Sequence, residues 1–378
     1  MRPPYYLADL TSEVASVCSS HGLADHCVRP PDHATNRPPD PGRYNIVSAI
    51  AARLKPARRL VLESPIAGPL ITLLLVFVLF SVFVPNFLTV RSLSGIINAA
   101  TLTGTITIGV TMLMIAGEFD LSVGPMMAFG GFLYGLNTAE GGNPLWALFL
   151  ALLVPALMGA INGIIVNQTR IPSFITTLST MFIYRGVLWL FSGGQMFQTV
   201  ERVPVYDVFN GRLDFIADAV KGANFRTAAL WWLGLVLLFQ YILVRTRFGN
   251  HVFATGGNVQ AAAAQGVNVK RIKLLCFIIS GTLAGFAGVL LFSQFKTVRI
   301  ATGAGEELKA IAAAVVGGTL LTGGAGSIIG ALLGGLIISM LRTGVVLADL
   351  IPADNFEAVV GVTIVGAAIF NHWIRQRS

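Results

Sequence analysis

Four polar side chains within or beside the long apolar runs of this sequence are candidates for function: Glu118, Asp120, Ser122 and Arg185. Charged groups are costly in an apolar environment, so each needs a partner or a function. The two acidic residues lie between apolar runs with almost no loop. There they can line a pathway, cap the next helix by accepting backbone N–H bonds, or lie at a water interface. Arg185 falls within a run, which favours pairing with an acidic group or backbone carbonyls over ligand binding.

Metal or nucleophilic chemistry has little support in the sequence. Cys18, His21, His26 and Cys27 lie close together, but their spacing matches no standard zinc pattern. The chain has no phosphate-binding G-x-x-x-x-G-K-[ST] motif, no H-E-x-x-H and no G-x-S-x-G. We therefore predict no catalytic residue, no metal and no cofactor, and expect a protein that is not an enzyme. If it moves a solute uphill, a gradient or a partner supplies the energy.

Composition indicates the environment of these residues. Hydrophobic residues make up 54% of the chain and charged residues only 12%, well below the roughly 25% charged of soluble domains. The net charge of +8 does not indicate nucleic acid, because the basic residues are dispersed between apolar runs. Basic loops beside membrane spans explain the same excess.

Apolar runs recur along most of the chain, and each approaches the roughly 20 residues that a helix needs to cross hydrocarbon. They predict an all-α membrane protein with about ten transmembrane helices. The runs lie near 65–84, 95–116, 121–137, 145–166, 173–193, 227–245, 273–293, 306–321, 326–347 and 356–373. The third and eighth are short and glycine-rich, as is typical of tilted, broken or re-entrant segments.

Lysine and arginine residues predict the orientation. They precede the first run, flank the loop at 245–273 and close the chain, and an even number of crossings puts all three groups on one side. The positive-inside rule makes that side cytoplasmic, so both termini are predicted to be cytoplasmic and the loop at 194–226 external. The Pro-rich residues 1–50 are expected to form a disordered cytoplasmic tail, and residues 51–378 the transmembrane domain.

Small residues indicate how the helices pack. Glycines recur four residues apart within apolar runs, which places them on one helix face and lets two backbones approach closely. Either ordinary membrane-helix packing or a bundle that moves as rigid pieces explains this spacing. The series are Gly159 and Gly163; Gly281 and Gly285; and Gly326, Gly330 and Gly334.

The loop at 245–273 carries the signals of a short helix. Asn258 after two glycines is a good N-cap, the following alanines are strongly helical, and Gly266 is a good stop. Such a helix has almost no side-chain bulk and fits a groove of another protein. A surface helix that is merely rich in alanine is the alternative.

This loop resembles the coupling loop of permease subunits in bacterial ABC importers of the ribose type, a group that also handles xylose, galactose and related sugars. The group's loop reads roughly A-x-G-G-N-x-x-A-A-x-x-x-G-I-N-V. The segment from Asp120 to Gly124 is similar to the group's G-x-D-L-S-V-G signature, and stretches at 172–186 and 307–327 resemble two further motifs. The loop residues that match are Ala254, Gly256, Gly257, Asn258, Ala261, Ala262, Gly266, Asn268 and Val269.

The resemblance implies the ABC importer permease fold and a transport subunit in the bacterial inner (plasma) membrane. It implies as partners a second permease chain, separate ATPase subunits and a periplasmic sugar-binding protein. The cargo is expected to be a monosaccharide or a related carbohydrate. The residues expected to couple to the ATPase are Gly256, Gly257, Asn258, Ala261, Ala262, Gly266 and Asn268.

Two departures from the group and two alternative functions remain. Glu118 stands where the group usually has a small residue, and Pro125 stands where serine is common. One alternative is a branched-chain amino acid ABC permease. The Gly-Gly-Asn loop and the Asp-Leu-Ser-Val-Gly segment favour the sugar group over this alternative. The other is a gradient-driven secondary transporter, which needs no ATPase. An intramembrane enzyme is disfavoured, because no nucleophile is paired with a base.

Overall fold

The computed structural model describes residues 66–201, 203–349, 356, 358–363 and 365–366. The predicted tail lies outside these residues, and so does much of the last predicted crossing, whose described positions from 356 to 366 are helical. The described chain is predominantly helical, as the apolar runs predict.

The elements follow one another in a simple order. They are α1 (Ala67–Phe83), α2 (Val90–Ile115), α3 (Val123–Ala139), α4 (Pro144–Thr169), α5 (Ser173–Ser192), β1 (Phe197–Gln198), α6 (Pro204–Asn210), α7 (Asp214–Ala219), α8 (Thr227–Arg245), α9 (Arg247–Gly257), α10 (Val259–Ala264), α11 (Val269–Phe295), β2 (Thr297–Val298), α12 (Glu306–Val316) and α13 (Ile328–Leu347).

Every predicted run before residue 350 coincides with a helix, but the helices differ in length. Six helices of the described chain are long and apolar enough to cross a membrane: α2, α4, α5, α8, α11 and α13. The helix α12 has 11 residues, so it rises about 16 Å, roughly half of a hydrocarbon core. The eighth run is therefore broken, because α12 ends at Val316 and an irregular, glycine-rich segment at 317–327 follows.

The helix α11 lies at the centre of the bundle and packs against α2, α3 and α4. Its contact with α4 depends on the glycines that the four-residue spacing singled out. A Cβ atom on Gly281 would collide with the carbonyl of Pro155, and one on Gly159 would collide with the carbonyl of Phe277. The predicted close approach of backbones is confirmed at this interface.

A second glycine series joins α12 to α13. Gly334 packs on the carbonyl of Ala313, and Gly330 packs on the carbonyl of Gly317. The helix α13 also packs against α1 and α2. The short helix α12 is thus packed inside the bundle against α13, whose Gly330 and Gly334 have no room for a Cβ atom.

The external loop predicted at 194–226 is folded against the bundle. It contains α6 and α7, and its strand β1 pairs antiparallel with β2. The hydroxyls of Tyr206 and Thr138 share a hydrogen bond of 2.8 Å, and Asn210 donates to the carbonyl of Leu290 at 2.7 Å. These bonds attach the segment to the last turns of α3 and α11, a tertiary arrangement that local sequence signals do not encode.

Candidate coupling site and buried polar cluster

The alanine-rich loop forms the predicted short helix, α10. Asn258 is its N-cap, and its Oδ1 accepts a hydrogen bond of 2.9 Å from the amide of Ala261. Gly266 has φ +83°, the left-handed conformation that ends a helix. Asn268 then caps α11 by accepting from the amide of Arg271 at 3.1 Å. Only Ala262 of α10 is buried, so the helix presents a surface of small side chains.

The helix α9, which precedes α10, is not predicted by the apolar pattern. Its N-cap is Thr246, whose hydroxyl accepts from the amide of Gly249 at 3.3 Å. Val252 and Thr255 are buried on one face of α9, while Arg247 and Asn250 are exposed. The capping threonine is the sequence signal that identifies this helix, although its neighbourhood is too polar to read as a membrane span.

Glycines join the end of α9 to two other parts of the bundle. The amide of Gly324 donates to the carbonyl of Ile115 at 2.9 Å. A Cβ on Gly256 would collide with the same carbonyl, and one on Gly323 would come within 2.9 Å of the Cα of Gly117. We call these five residues the glycine junction. It connects α2, α9 and the α12–α13 segment through backbone contacts with no side chain between them.

Beyond this junction the chain turns back into the bundle. Glu118 forms an ion pair with Lys273, in the second turn of α11. The amide of Phe119 donates to the hydroxyl of Ser173, the first residue of α5, at 3.0 Å. Glu118, the carboxylate that departs from the family pattern, therefore has a specific cationic partner, which the sequence alone does not identify.

Asp120 is completely buried in a cluster of neutral polar groups. Its Oδ1 accepts from the amide of Ser122 at 2.9 Å and from the Ser122 hydroxyl at 2.6 Å, and its Oδ2 accepts from the Ser280 hydroxyl at 3.3 Å. Asn162 donates to the Ser122 hydroxyl at 2.8 Å and accepts from the hydroxyl of Tyr184 at 3.1 Å. We call these five residues the Asp120 cluster. It joins the start of α3 to α4, α5 and α11.

The geometry gives Asp120 a more specific role than a helix cap. Its backbone partner is Ser122, the residue before α3, and α3 itself has no side-chain cap. No lysine or arginine in the described part of the chain pairs with the carboxylate. In the sequence, Asn162 is visible as an amide within an apolar run, but no local pattern places it beside Asp120. The bonds of Asp120 to neutral groups on several helices support a role for Asp120 in bundle structure.

Arg185 lies apart from the Asp120 cluster. Its guanidinium donates to the carbonyls of Ile300 and Thr302, at 2.7 Å for the latter, which is the carbonyl pairing expected from the sequence. These bonds tie α5 to the turn before α12. A Cβ on Gly124 would come within 2.7 Å of the Glu307 carboxylate and 3.2 Å of the Arg185 guanidinium, so the first turns of α3 and α12 meet here.

The candidate residues thus occupy three places. The predicted coupling residues lie at one end of the bundle, Asp120 and Ser122 lie in the buried cluster, and Arg185 lies at the turn before α12. The described residues contain no group of three or more His, Cys, Asp or Glu side chains able to hold a metal. The cysteines and histidines at 18–27 lie outside the described residues.

Six described helices that are long and apolar enough to cross a membrane, with buried polar groups among them, are typical of a multi-pass membrane protein. The chain belongs to the family described as branched-chain amino acid transport system / permease component, whose model matches residues 92–368. This membership confirms that the chain is a permease component.

Several individual relatives are similar over most of their length. Ribose import permease protein RbsC of Escherichia coli (strain K12) is 32% identical over 302 residues, which cover 79% of this chain and 91% of that protein. Autoinducer 2 import system permease protein LsrC of Salmonella typhi is 31% identical over 311 residues, covering 82% and 86%. The LsrC protein of Photorhabdus luminescens is 31% identical over 315 residues, covering 81% and 89%. No solved structure shows a significant match.

Proposed function

We propose that this chain is the membrane-spanning permease subunit of an ATP-binding cassette importer, which carries a monosaccharide or a related carbohydrate across the bacterial inner membrane. The observation that carries the proposal is α10, a capped helix of small residues presented at one end of the bundle and joined to it by the glycine junction. Relatives named for ribose import and autoinducer 2 import support the same function.

In this proposal α10 docks into a groove of a separate ATPase subunit, as small-residue helices do in protein grooves. ATP binding draws two ATPases together and displaces α10. The glycine junction passes this displacement to the end of α2 and to the α12–α13 segment, because close-packed backbones transmit strain. The docking surface comprises Gly256, Gly257, Asn258, Ala261, Ala262, Gly266 and Asn268.

The proposed orientation places α10 in the cytoplasm, with about ten crossings and both termini inside, and rests on the distribution of lysine and arginine. Helix ends that meet near α10 support repeated crossing. Asn167, near the end of α4, donates to the carbonyl of Lys270, at the start of α11, at 2.8 Å. The amide of Ile328, the first residue of α13, donates to Gln240 of α8 at 3.1 Å. The pairs α4–α11 and α8–α13 are therefore antiparallel, as in a bundle that crosses the bilayer repeatedly.

The complete importer contains further subunits. A second permease chain, identical or related, faces this one across the translocation pathway. A periplasmic binding protein delivers the carbohydrate to the end opposite α10 and contributes most of the selection among sugars. The Asp120 cluster and Arg185 hold two short helices, α3 and α12, in place while the bundle changes from outward-facing to inward-facing access.

One competing cargo has a specific observation in its favour. The description of the matching family names branched-chain amino acids. The similar relatives are nevertheless import permeases for ribose and for autoinducer 2, which favours the carbohydrate cargo.

Site-directed cross-linking tests the docking of α10. Ala263 is exposed on α10, and Ala263→Cys in a chain freed of its native cysteines provides a single reactive thiol. We expect this thiol to cross-link to an ATPase subunit of the same genome, with a yield that changes on ATP binding. Gln195→Cys, exposed at the opposite end, is the matched control and should give no adduct. An ATPase that co-purifies but never cross-links to α10 contradicts the docking proposal.

A further inference from the structure

A polar cavity of about 400 Å³ opens at the end of the bundle opposite α10. It lies between the first half of α2, the last turns of α11, the start of α12 and the last third of α13. Its volume falls at the lower end of the range for small-molecule sites. The residues that line it include Asn98, Thr103, Gln294, Phe295, Glu306 and Arg342.

The floor of the cavity lies near the middle of the bundle. Thr103, half-way along α2, donates to Glu306 at 2.8 Å, and Lys309 forms an ion pair with the same carboxylate at 2.9 Å. Glu306 is the first residue of the short helix α12. In many transporters, interrupted helices form the substrate site near the midplane. The cavity therefore reaches from one end of the bundle to the point where α12 begins.

Several walls of the cavity have unused hydrogen-bonding capacity. The Oδ1 atom of Asn98 is buried without a hydrogen-bond partner, while its amide nitrogen donates to the carbonyl of Asn224 at 2.6 Å. Gln294 uses its Oε1 to accept from Asn210 at 3.2 Å, and its amide nitrogen has no bond to any of the residues described. Arg342 makes no hydrogen bond or ion pair with any residue that the structure describes. Free donors and acceptors are thus available on three helices.

The remaining wall of the cavity is apolar. Leu102, Met127 and Leu291 line it, and Phe295, at the end of α11, is 56% exposed. A sugar ring has hydroxyl groups around its edge and C–H groups on its faces. A cavity with amides and a guanidinium on some walls and an aromatic ring with aliphatic side chains on others complements both.

We propose that this cavity is a transient binding subsite of the permease for an uncharged polyhydroxylated molecule of monosaccharide size. The inference rests on the proposed carbohydrate transport and names the part of this chain that the sugar meets first. Asn98, Gln294 and Arg342 bond the hydroxyls, and Phe295 packs against a face of the ring. Low affinity suits such a site, because a permease must release its cargo.

The charges in the cavity select against an amino acid. A zwitterion needs an uncompensated carboxylate for its ammonium group and a cation for its carboxylate. Glu306 is already compensated by Lys309 and by Thr103, so the lining residues that the structure describes include no free anion. A neutral polyol needs only hydrogen bonds.

Uptake measurements test the subsite in the complete importer, reconstituted with its ATPase and binding protein. Radiolabelled D-ribose, D-xylose and D-galactose serve as probes. We expect Asn98→Ala and Gln294→Ala each to slow uptake of the transported sugar about three- to tenfold, as the loss of one or two hydrogen bonds does. ATPase stimulation by the loaded binding protein should stay normal. Gln195→Ala, exposed at the same end outside the cavity, should change neither.

Thiol protection gives a readout that does not depend on transport. In a chain without native cysteines, Gly95→Cys is labelled with a membrane-impermeant maleimide, because Gly95 lines the cavity with open space beside it and is not one of the proposed sugar-binding residues. Saturation with the transported sugar should slow labelling about threefold or more by occupying the site, whereas an iso-osmotic salt should not. Gln195→Cys should be labelled equally fast with and without sugar.

The outcomes separate this inference from the function on which it rests. Slower uptake by the cavity variants together with sugar protection of Gly95→Cys supports the subsite. Import of a probe sugar without protection and without slower uptake overturns the subsite and leaves the proposed function standing. If the wild-type importer moves none of the sugars, the carbohydrate function and the subsite both fail.

Discussion

The backbone amide of Gly324 donates a hydrogen bond of 2.9 Å to the carbonyl of Ile115, and Gly256 packs on the same carbonyl. One peptide group at the end of α2 therefore contacts both the α12–α13 segment and the helix that leads into α10. The space around this carbonyl admits no added carbon atom. We regard it as the mechanical connection between the proposed docking helix and the membrane bundle.

Gly256→Ala should uncouple ATP hydrolysis from transport. Its methyl group would collide with the Ile115 carbonyl, and overpacking of this kind destabilises a site by about 1–3 kcal/mol. The adjacent Gly257 offers a matched control, since its nearest neighbour would lie 4.0 Å from an added Cβ. We expect Gly257→Ala to keep most of its uptake per ATP, because one methyl group in open space leaves the docking surface nearly unchanged. We expect Gly256→Ala to hydrolyse ATP with little uptake. Equal uptake per ATP in the two variants would contradict the role of the junction.

Gly266→Trp should reduce coupling without unfolding the protein. Gly266 has φ +83° and open space around it, so a bulky residue costs only about 1–2 kcal/mol of backbone strain. The indole would nevertheless occupy the surface on which the ATPase docks. Gly266→Asn is the control, because asparagine tolerates this conformation and remains small. ATPase co-purification and sugar uptake should fall in Gly266→Trp and persist in Gly266→Asn. Unchanged co-purification and uptake in Gly266→Trp would contradict docking at this surface.

Asp120→Asn should lower stability more than it alters the apparent affinity for sugar. The asparagine Oδ1 keeps the bond to the Ser122 amide, so the expected loss is about 1 kcal/mol, whereas Asp120→Leu removes every bond of the side chain and costs about 2–4 kcal/mol. Thermal unfolding in detergent and uptake kinetics measure the two effects. A large change in apparent affinity with normal assembly of Asp120→Asn would indicate a pathway residue instead.

Arg185→Gln should destabilise the turn before α12 in the same way. It removes a guanidinium that donates to the carbonyls of Ile300 and Thr302. Arg185→Lys keeps the positive charge but loses the fixed fork of donors, so we expect only partial recovery of thermal stability. Full recovery by lysine would show that charge alone, and not carbonyl bonding, is what this position supplies.

Glu118 and Lys273 should behave as a coupled pair. Their side chains are only 10% and 18% exposed, so removing one partner leaves a partly buried charge and costs about 1–3 kcal/mol. The double variant Glu118→Gln with Lys273→Gln should be more stable than the sum of the two single changes predicts. Additive losses in a double-mutant cycle would show that the two groups do not interact energetically.

Local signals in the sequence predict the local features of this structure well. Asn258 and Gly266 bound α10 because capping and left-handed glycine act within a few residues. The glycine series predict close packing, but they do not state that Gly281 meets Pro155. The partners of Asp120 and Glu118 come from helices distant in the sequence, so local patterns cannot identify Asn162, Ser280 or Lys273. Only the packed bundle brings them together.

ATP-driven uptake tests the central proposal most directly. The chain is reconstituted into proteoliposomes with a candidate ATPase and binding protein of the same genome, and uptake of radiolabelled D-ribose, D-xylose and D-galactose is measured. We predict uptake of at least one sugar that requires ATP on the α10 side, requires the binding protein and persists in the presence of ionophores. Uptake that proceeds without ATP or stops when ionophores collapse the ion gradients would contradict an ABC importer and indicate a secondary transporter.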